Sequence, residues 1–270
     1  MEIHSSKTVK AYIYGDTLEM TTANGIHEKT IRVLPNKHYV DLKTGEIHKM
    51  NTSNETRFDN LKTVKQTMKK LRRLVANNFT GGKNQLWITL TYREHVTRPN
   101  VVYKDFKAFM RRVRESQGHV EYIAVIEPQE SGRWHLHVLM KNETKLMIPN
   151  ADLEKLWKKG FTKTKRLRKA DKIGNYLIAY LSNLKIETGT GKKAIVKGMR
   201  LNLYPKGLRI YRASRGIKRP IEITTEKHMI VNSYNISRSA DYTRVTNHKT
   251  KEGKTVKYIT EFYDNIHKIE

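Results

Sequence analysis

The sequence predicts an α+β fold, with a central antiparallel sheet and helices packed on it. Between residues 85 and 184 the hydrophobic period switches between about 2 and about 3.6, in the order strand, helix, strand, strand, helix, strand, helix. The two consecutive strands are separated only by the turn-forming residues 129–132, which makes them antiparallel neighbours. Alternating apolar and polar residues recur at both ends. They predict a β-rich N-terminal extension over 1–54 and a β-rich C-terminal segment over 217–270, around a central domain over 55–216.

The elements follow in chain order. Val9, Ala11 and Ile13 alternate with Lys10, Tyr12 and Tyr14, and 38–42 alternates again before the turn Lys43-Thr44-Gly45-Glu46, so short strands and hairpins are expected there. From Asp59 the period changes: Leu61, Val64, Met68, Leu71 and Val75 stand at helical spacing, with Gly81-Gly82 as a stop. Lys65, Lys69 and Arg72 lie on the remaining faces of that helix, where they either form a solvated surface or contact phosphate. Residues 85–92 read as a strand, with Leu86, Ile88 and Leu90 on one side and Thr89 and Thr91 on the other. A helix follows, its buried stripe Phe106, Phe109, Met110 and Val113, its basic side including Arg111 and Arg112.

Strands over 121–127 and 133–141 come next. A short helix is then expected, with Asn150 as N-cap, Leu153, Leu156 and Trp157 inside, and Gly160 as its stop. Residues 161–168 alternate and are strongly basic, which reads as another strand. In 171–184, Ile173, Leu177, Leu181 and Leu184 make a helical stripe. Tyr176 and Tyr180, four apart, stand one above the other beside it, with Lys172 one turn earlier. A link over 188–193 and a turn at Tyr204-Pro205-Lys206-Gly207 follow, then alternating segments over 221–235 and 242–263, the second broken by a turn at 251–254.

Composition narrows the chemistry. With 270 residues the chain buries a core without covalent staples, and with no cysteine it has no thiolate metal site, cysteine nucleophile or disulfide. No apolar run reaches the length of a membrane span and residues 1–7 lack a signal-peptide core, so no membrane partner and a cytoplasmic location are expected. Lys plus Arg number 53 against 26 Asp plus Glu, a formal charge of +27. A field of that strength attracts polyanions, nucleic acid first among them.

The densest chemical signal is His135-Leu136-His137. Residues two apart on a strand share a face, so both imidazoles point one way while Leu136 and Val138 point the other. Glu127 ends the preceding strand, and a hairpin places it beside His135. Two imidazoles and a carboxylate make a three-ligand site with open positions, suited to Mg²⁺ or Mn²⁺ polarising a phosphate; Zn²⁺ or Ni²⁺ fit the same ligand types in vitro. A tyrosine hydroxyl is then a competent nucleophile toward phosphorus. Tyr176 and Tyr180 are candidates for that role, or they pack at the edge of the core. Arg133, next to the histidines, is a candidate for stacking on unpaired bases, whereas Trp134 alternates with them and is expected to be buried on the opposite face.

Taken in order, Thr89-Leu90-Thr91-Tyr92, the His-Leu-His strand with Glu127 eight residues before His135, and Tyr176-x-x-x-Tyr180 resemble the three motifs of the HUH endonucleases. Within that superfamily the stretch from about 55 to 216 is most similar to the rolling-circle replication initiators of small plasmids and of filamentous and microvirus-type phages. The resemblance implies a five-stranded antiparallel sheet bearing the histidines. It implies metal binding by His135, His137 and Glu127, and Tyr176 and Tyr180 as nucleophiles that cleave single-stranded or hairpin origin DNA through a 5′-phosphotyrosyl link. It also implies a 3′ hydroxyl that primes a host polymerase, with a host helicase as a further partner. The chain departs from the pattern at Ala179 and Asn183, where relatives with paired tyrosines carry lysine. A transposase or relaxase of the same chemistry, and a non-catalytic DNA-binding replicon regulator, are the alternative readings.

Overall fold

The computed structural model describes residues 2–24, 30–53, 55–57, 59, 61–129, 131–168, 184–187, 193–196, 199–249, 253 and 255–266. Its elements run β1 (Thr8–Tyr14), β2 (Thr17–Thr21), β3 (Ile31–Leu34), β4 (His38–Asp41), β5 (Ile47–Lys49), α1 (Leu61–Asn78), β6 (Gln85–Thr91), α2 (Pro99–Gln117), β7 (Glu121–Pro128) and β8 (Trp134–Lys141). They continue α3 (Asn150–Trp157), β9 (Thr162–Arg166), β10 (Leu184–Glu187), β11 (Lys193–Val196), a 3-10 turn (Met199–Leu203), β12 (Tyr211–Ala213), β13 (Ile221–Glu226), α4 (Lys227–Ser233), β14 (Tyr242–Lys249) and β15 (Thr255–Tyr263). The class is α+β. The chain divides into two units, one of residues 54–219 and one in which 1–53 and 220–270 come together.

The larger unit is built on a five-stranded antiparallel sheet of order β12-β7-β8-β6-β9. One face is apolar throughout: Leu86, Ile88, Leu90, Ala124, Ile126, Leu136, Val138 and Met140 are all buried. Helices α2 and α3 cover it, with the Phe106 ring edge-on to Tyr122 at 5.1 Å and Trp157 wedged against Phe109 at 5.8 Å and Tyr92 at 5.1 Å. Trp134 is buried on this face, its indole N–H donating to the Thr97 carbonyl at 2.7 Å. Slipping β8 by one residue would turn Leu136 and Val138 outward, at about 1.5–3 kcal/mol for each side chain exposed. That penalty holds the register, and with it both histidines on the other face. There Ile123, Val125 and Leu139 are buried, and Lys141 at the end of the row reaches α1, donating to Asn78 Oδ1 at 3.2 Å.

Two local expectations are corrected around α3. Asn150 is the first helical residue rather than the N-cap, a position held by Pro149; the Asn150 Oδ1 instead accepts from Thr162 Oγ1 at 3.1 Å. The helix stops at Lys158, which takes the left-handed conformation at φ 61° and donates its N–H to the Glu154 carbonyl. Gly160 has another task. A Cβ there would lie 2.4 Å from Arg93 N and 2.6 Å from the Thr91 carbonyl oxygen, so glycine lets the chain press against the end of β6.

The smaller unit has a five-stranded antiparallel sheet of order β13-β1-β2-β15-β14, which interleaves strands from both ends of the chain, and a three-stranded sheet β3-β4-β5. The expected strand over 221–235 ends at Glu226 and turns into α4. Carbonyls of Lys7 and Ser5 accept the N–H groups of Lys227 and His228 at 3.0 and 2.9 Å, satisfying amides at the helix start from a distant segment. The Lys227 ammonium is buried and pairs with Glu261 at 2.9 Å, an arrangement a continued strand would not permit. The helix expected over 171–184 lies outside the described residues as far as 183, and Leu184 begins β10.

Candidate metal and DNA-processing site

On the second face of the larger sheet the register places polar side chains in two adjoining rows. Glu127, His135 and Thr91 form one, and Val125, His137 and Thr89 the next. Tyr211 on β12 and Lys163 on β9 extend the second row to the two edges. The polar end of this face is therefore the end nearest the β7–β8 turn.

Glu127 and His137 are 2% and 6% exposed, unusual burial for ionisable groups. The Glu127 carboxylate hydrogen-bonds His137 Nε2, diagonally across the strand pair, while His137 Nδ1 lies 3.4 Å from Thr89 Oγ1. With Nε2–H donating to the carboxylate, Nδ1 accepts from the threonine hydroxyl, which fixes the tautomer. Trp87 closes the other side of the ring edge-on, at 6.0 Å and 80°. His135 is half-buried beside them. Burial pushes its pKa down to about 4, aided by the neighbouring His137 and the Arg133 guanidinium, and burial lowers His137 as well. Both rings are accordingly neutral at pH 7.

Neutral imidazoles and a buried carboxylate are the donor chemistry of a divalent cation site, and a carboxylate this deep calls for compensating positive charge. Glu127, His135 and His137 are the residues that would hold the ion. As positioned, Glu127 is drawn onto His137, and among the described residues no three His, Cys, Asp or Glu side chains form a ready cluster. Arg133, at the turn of the hairpin, is half-buried next to His135.

The other candidates are dispersed. Lys65 and Lys69 are exposed on α1 and Arg72 is half-buried there. Arg111 is exposed on α2 and lies 3.7 Å from Glu115. Arg112 is engaged in the fold: its guanidinium donates to the Leu156 carbonyl at 2.6 Å, tying α2 to α3. Tyr176, Tyr180 and Lys172 lie outside the described residues. Sequence reading placed Thr89 and Thr91 on one face but not the bond to His137, and it passed over Tyr211 and Lys163. Alternation marks which side a residue takes within its own strand, whereas the neighbour it meets depends on pairing across strands.

A cleft of about 680 Å³ also opens at the end of β6, lined by Tyr92, Arg93, Asp105, Glu154, Lys155 and Lys159. Within it Asp105 accepts from Tyr92 at 3.2 Å and pairs with Lys159 at 3.3 Å. Among the described residues no helix is long and apolar enough to cross a membrane.

Comparison with known proteins gives two matches over parts of the chain. Residues 85–185 match a family described as replication-associated protein of the ORF2 type, a stretch that holds β6 to β9, the histidines and both tyrosines. A segment of 60 residues is 37% identical to the Phasyl DNA replicon protein arp of Escherichia coli, covering 22% of this chain and 21% of that protein. The chain thus spans about a fifth of the length of this curated relative. No solved structure matches the chain.

Proposed function

We propose that this protein initiates DNA replication by nicking and rejoining single-stranded DNA at an origin, through a covalent tyrosyl intermediate. The observation that carries the reading is the buried Glu127–His137 pair with His135 alongside, on one face of an antiparallel sheet, within the stretch that resembles replication-associated proteins. The +27 charge supports a nucleic-acid substrate.

In this reading Glu127, His135 and His137 hold a Mg²⁺ or Mn²⁺ ion, which neutralises charge on the non-bridging oxygens of the scissile phosphate. The hydroxyl of Tyr176 or Tyr180 attacks phosphorus and gives up its proton. The bond from phosphorus to the 3′ oxygen breaks, and that oxygen leaves as a protonated 3′ hydroxyl. The 5′ phosphate stays on the tyrosine as a phosphodiester, so a later 3′ hydroxyl can reverse the attack, reseal the strand and free the phenol. Thr89 positions His137, Trp87 keeps water from one side of its ring, and Arg133 sits where an unpaired strand leaves the hairpin turn.

The test is incubation of the full chain with Mn²⁺ and labelled single-stranded hairpin oligonucleotides from the cognate replicon. A protein–DNA adduct resistant to denaturation is expected. Adduct formation should fall at least tenfold in His137→Ala and vanish in the Tyr176→Phe/Tyr180→Phe double variant. DNA binding without any adduct on any origin-derived strand would favour a non-catalytic regulator.

A further inference from the structure

Strand β9 forms the outer edge of the site-bearing sheet, and its side chains are divided unusually. Lys163 pairs with Thr89 and Lys165 with Trp87, so both lysines stand on the histidine face. The ladder runs on past the strand: Thr91 N–H donates to the Phe161 carbonyl at 2.9 Å, and Arg93 N–H to that of Lys159 at 2.8 Å. Phe161 is thereby opposite Thr91 and continues the side taken by Lys163 and Lys165. It is 65% exposed, although it belongs to a sheet whose other large apolar side chains are buried or half-buried. Lysines on an edge strand ordinarily discourage edge-to-edge pairing. That role accounts for the charges and leaves the aromatic ring unexplained, since an exposed phenyl group at an edge invites the very association the lysines oppose.

We infer that Phe161, Lys163 and Lys165 form a docking strip for single-stranded DNA, the phenyl ring stacking on an unpaired base while the two ammonium groups follow its phosphates. The inference deepens the nicking reading and rests on it for the identity of the strand. Each element suits that ligand. Bases stack on any flat aromatic face regardless of sequence, and alternate residues of an extended strand are spaced about 6.6 Å apart, close to the distance between successive phosphates of an unstacked strand. The row containing Lys163 runs through Thr89 to His137, and that containing Phe161 through Thr91 to His135 and Glu127, so a strand lying here leads directly to the site. The other nearby recess, between β6 and α3, has its carboxylate Asp105 already bridged to Lys159 and Tyr92 and offers no comparable open aromatic surface.

The experiment measures binding of fluorescein-labelled single-stranded oligo(dT), about 16 nucleotides long, to the full chain. It is done in EDTA with Tyr176→Phe and Tyr180→Phe in place, so that no cleavage contributes. Phe161→Ala and Phe161→Leu should each weaken binding by roughly 5- to 150-fold, and Phe161→Trp should restore it. The added indole fluorescence of Phe161→Trp should be quenched on saturation, and left unquenched by an oligomer of abasic sites. Lys163→Ala with Lys165→Ala should lower the slope of log affinity against log salt by about 1.4. Wild-type affinity in Phe161→Ala or in Phe161→Leu, or an unquenched tryptophan, overturns the strip. The two readings fail separately: adduct formation with Mn²⁺ in a chain whose binding ignores Phe161 discards the strip alone, and Phe161-dependent binding with no adduct on any strand discards the nicking reaction alone.

Discussion

Glu127 faces His135 in the register of the β7–β8 pair, yet its carboxylate bonds Nε2 of His137, one step along the strand. The diagonal bond leaves His135 beside the pair and sets a buried negative charge against a neutral ring. In a place shielded from water such an arrangement is stabilised further by a cation, which gives the pair its chemical sense.

Replacing Glu127 with Gln keeps the shape and a hydrogen-bonding oxygen while removing the charge. Mn²⁺ affinity, followed by electron paramagnetic resonance or calorimetry, should drop by more than about tenfold, with the fold intact by circular dichroism. Unchanged affinity would place the ion elsewhere.

His135 titrates near 4 in the folded chain, below its ordinary value of 6.5, because burial and the adjacent Arg133 disfavour its charged form. Between those values the unfolded chain binds more protons than the folded one, so stability should decline as pH falls from about 6.5 toward about 4 and change no further from this group below that. The same loss is absent above 6.5. Denaturant midpoints measured in EDTA across this window should flatten in His135→Asn relative to the parent.

Gly160→Ala should destabilise the larger unit by about 1–3 kcal/mol, since the new methyl group meets backbone atoms of Thr91, Tyr92 and Arg93 that cannot swing aside. Thr91 stands opposite His135, so the displaced strand end should also lower adduct formation. A denaturant midpoint equal to that of the parent would show that the strand end yields freely.

In the smaller unit Lys227 donates to Glu261 and to the Ile3 carbonyl, while Glu261 also accepts from Tyr263 at 3.0 Å and from the Ile3 amide at 2.5 Å. Lys227→Met strands a fully buried carboxylate and should cost about 3–5 kcal/mol. Hydrogen exchange should accelerate across β1, β2 and β15 and stay unchanged in β6 to β8, the strands of the other unit.

Local pattern was a sound guide wherever one face of an element meets the core. The stripe Phe106, Phe109, Met110 and Val113 reappears buried in α2, and the alternation of Leu86, Ile88 and Leu90 reappears in β6, because burial of each side chain depends on its own position in the period. The turn into α4 was not legible: its first amides are satisfied by Ser5 and Lys7, more than 200 residues away in sequence. Nor was the pairing of both chain ends in one sheet, or the αL stop at Lys158, where a lysine takes the conformation expected of Gly160.

The sequence by itself determined the α+β class, the hairpin that carries His135 and His137 on one side, and the strong positive charge, all of which follow from composition and from periods of a few residues. Tertiary structure alone decided that Glu127 bonds His137 rather than its register partner, that Thr89 and Trp87 complete the ring's surroundings, and that Lys163 with Phe161 borders the same face. Those neighbours come from strands distant in sequence, and which of them meet is set by the summed burial of the whole sheet, which no short window of residues contains.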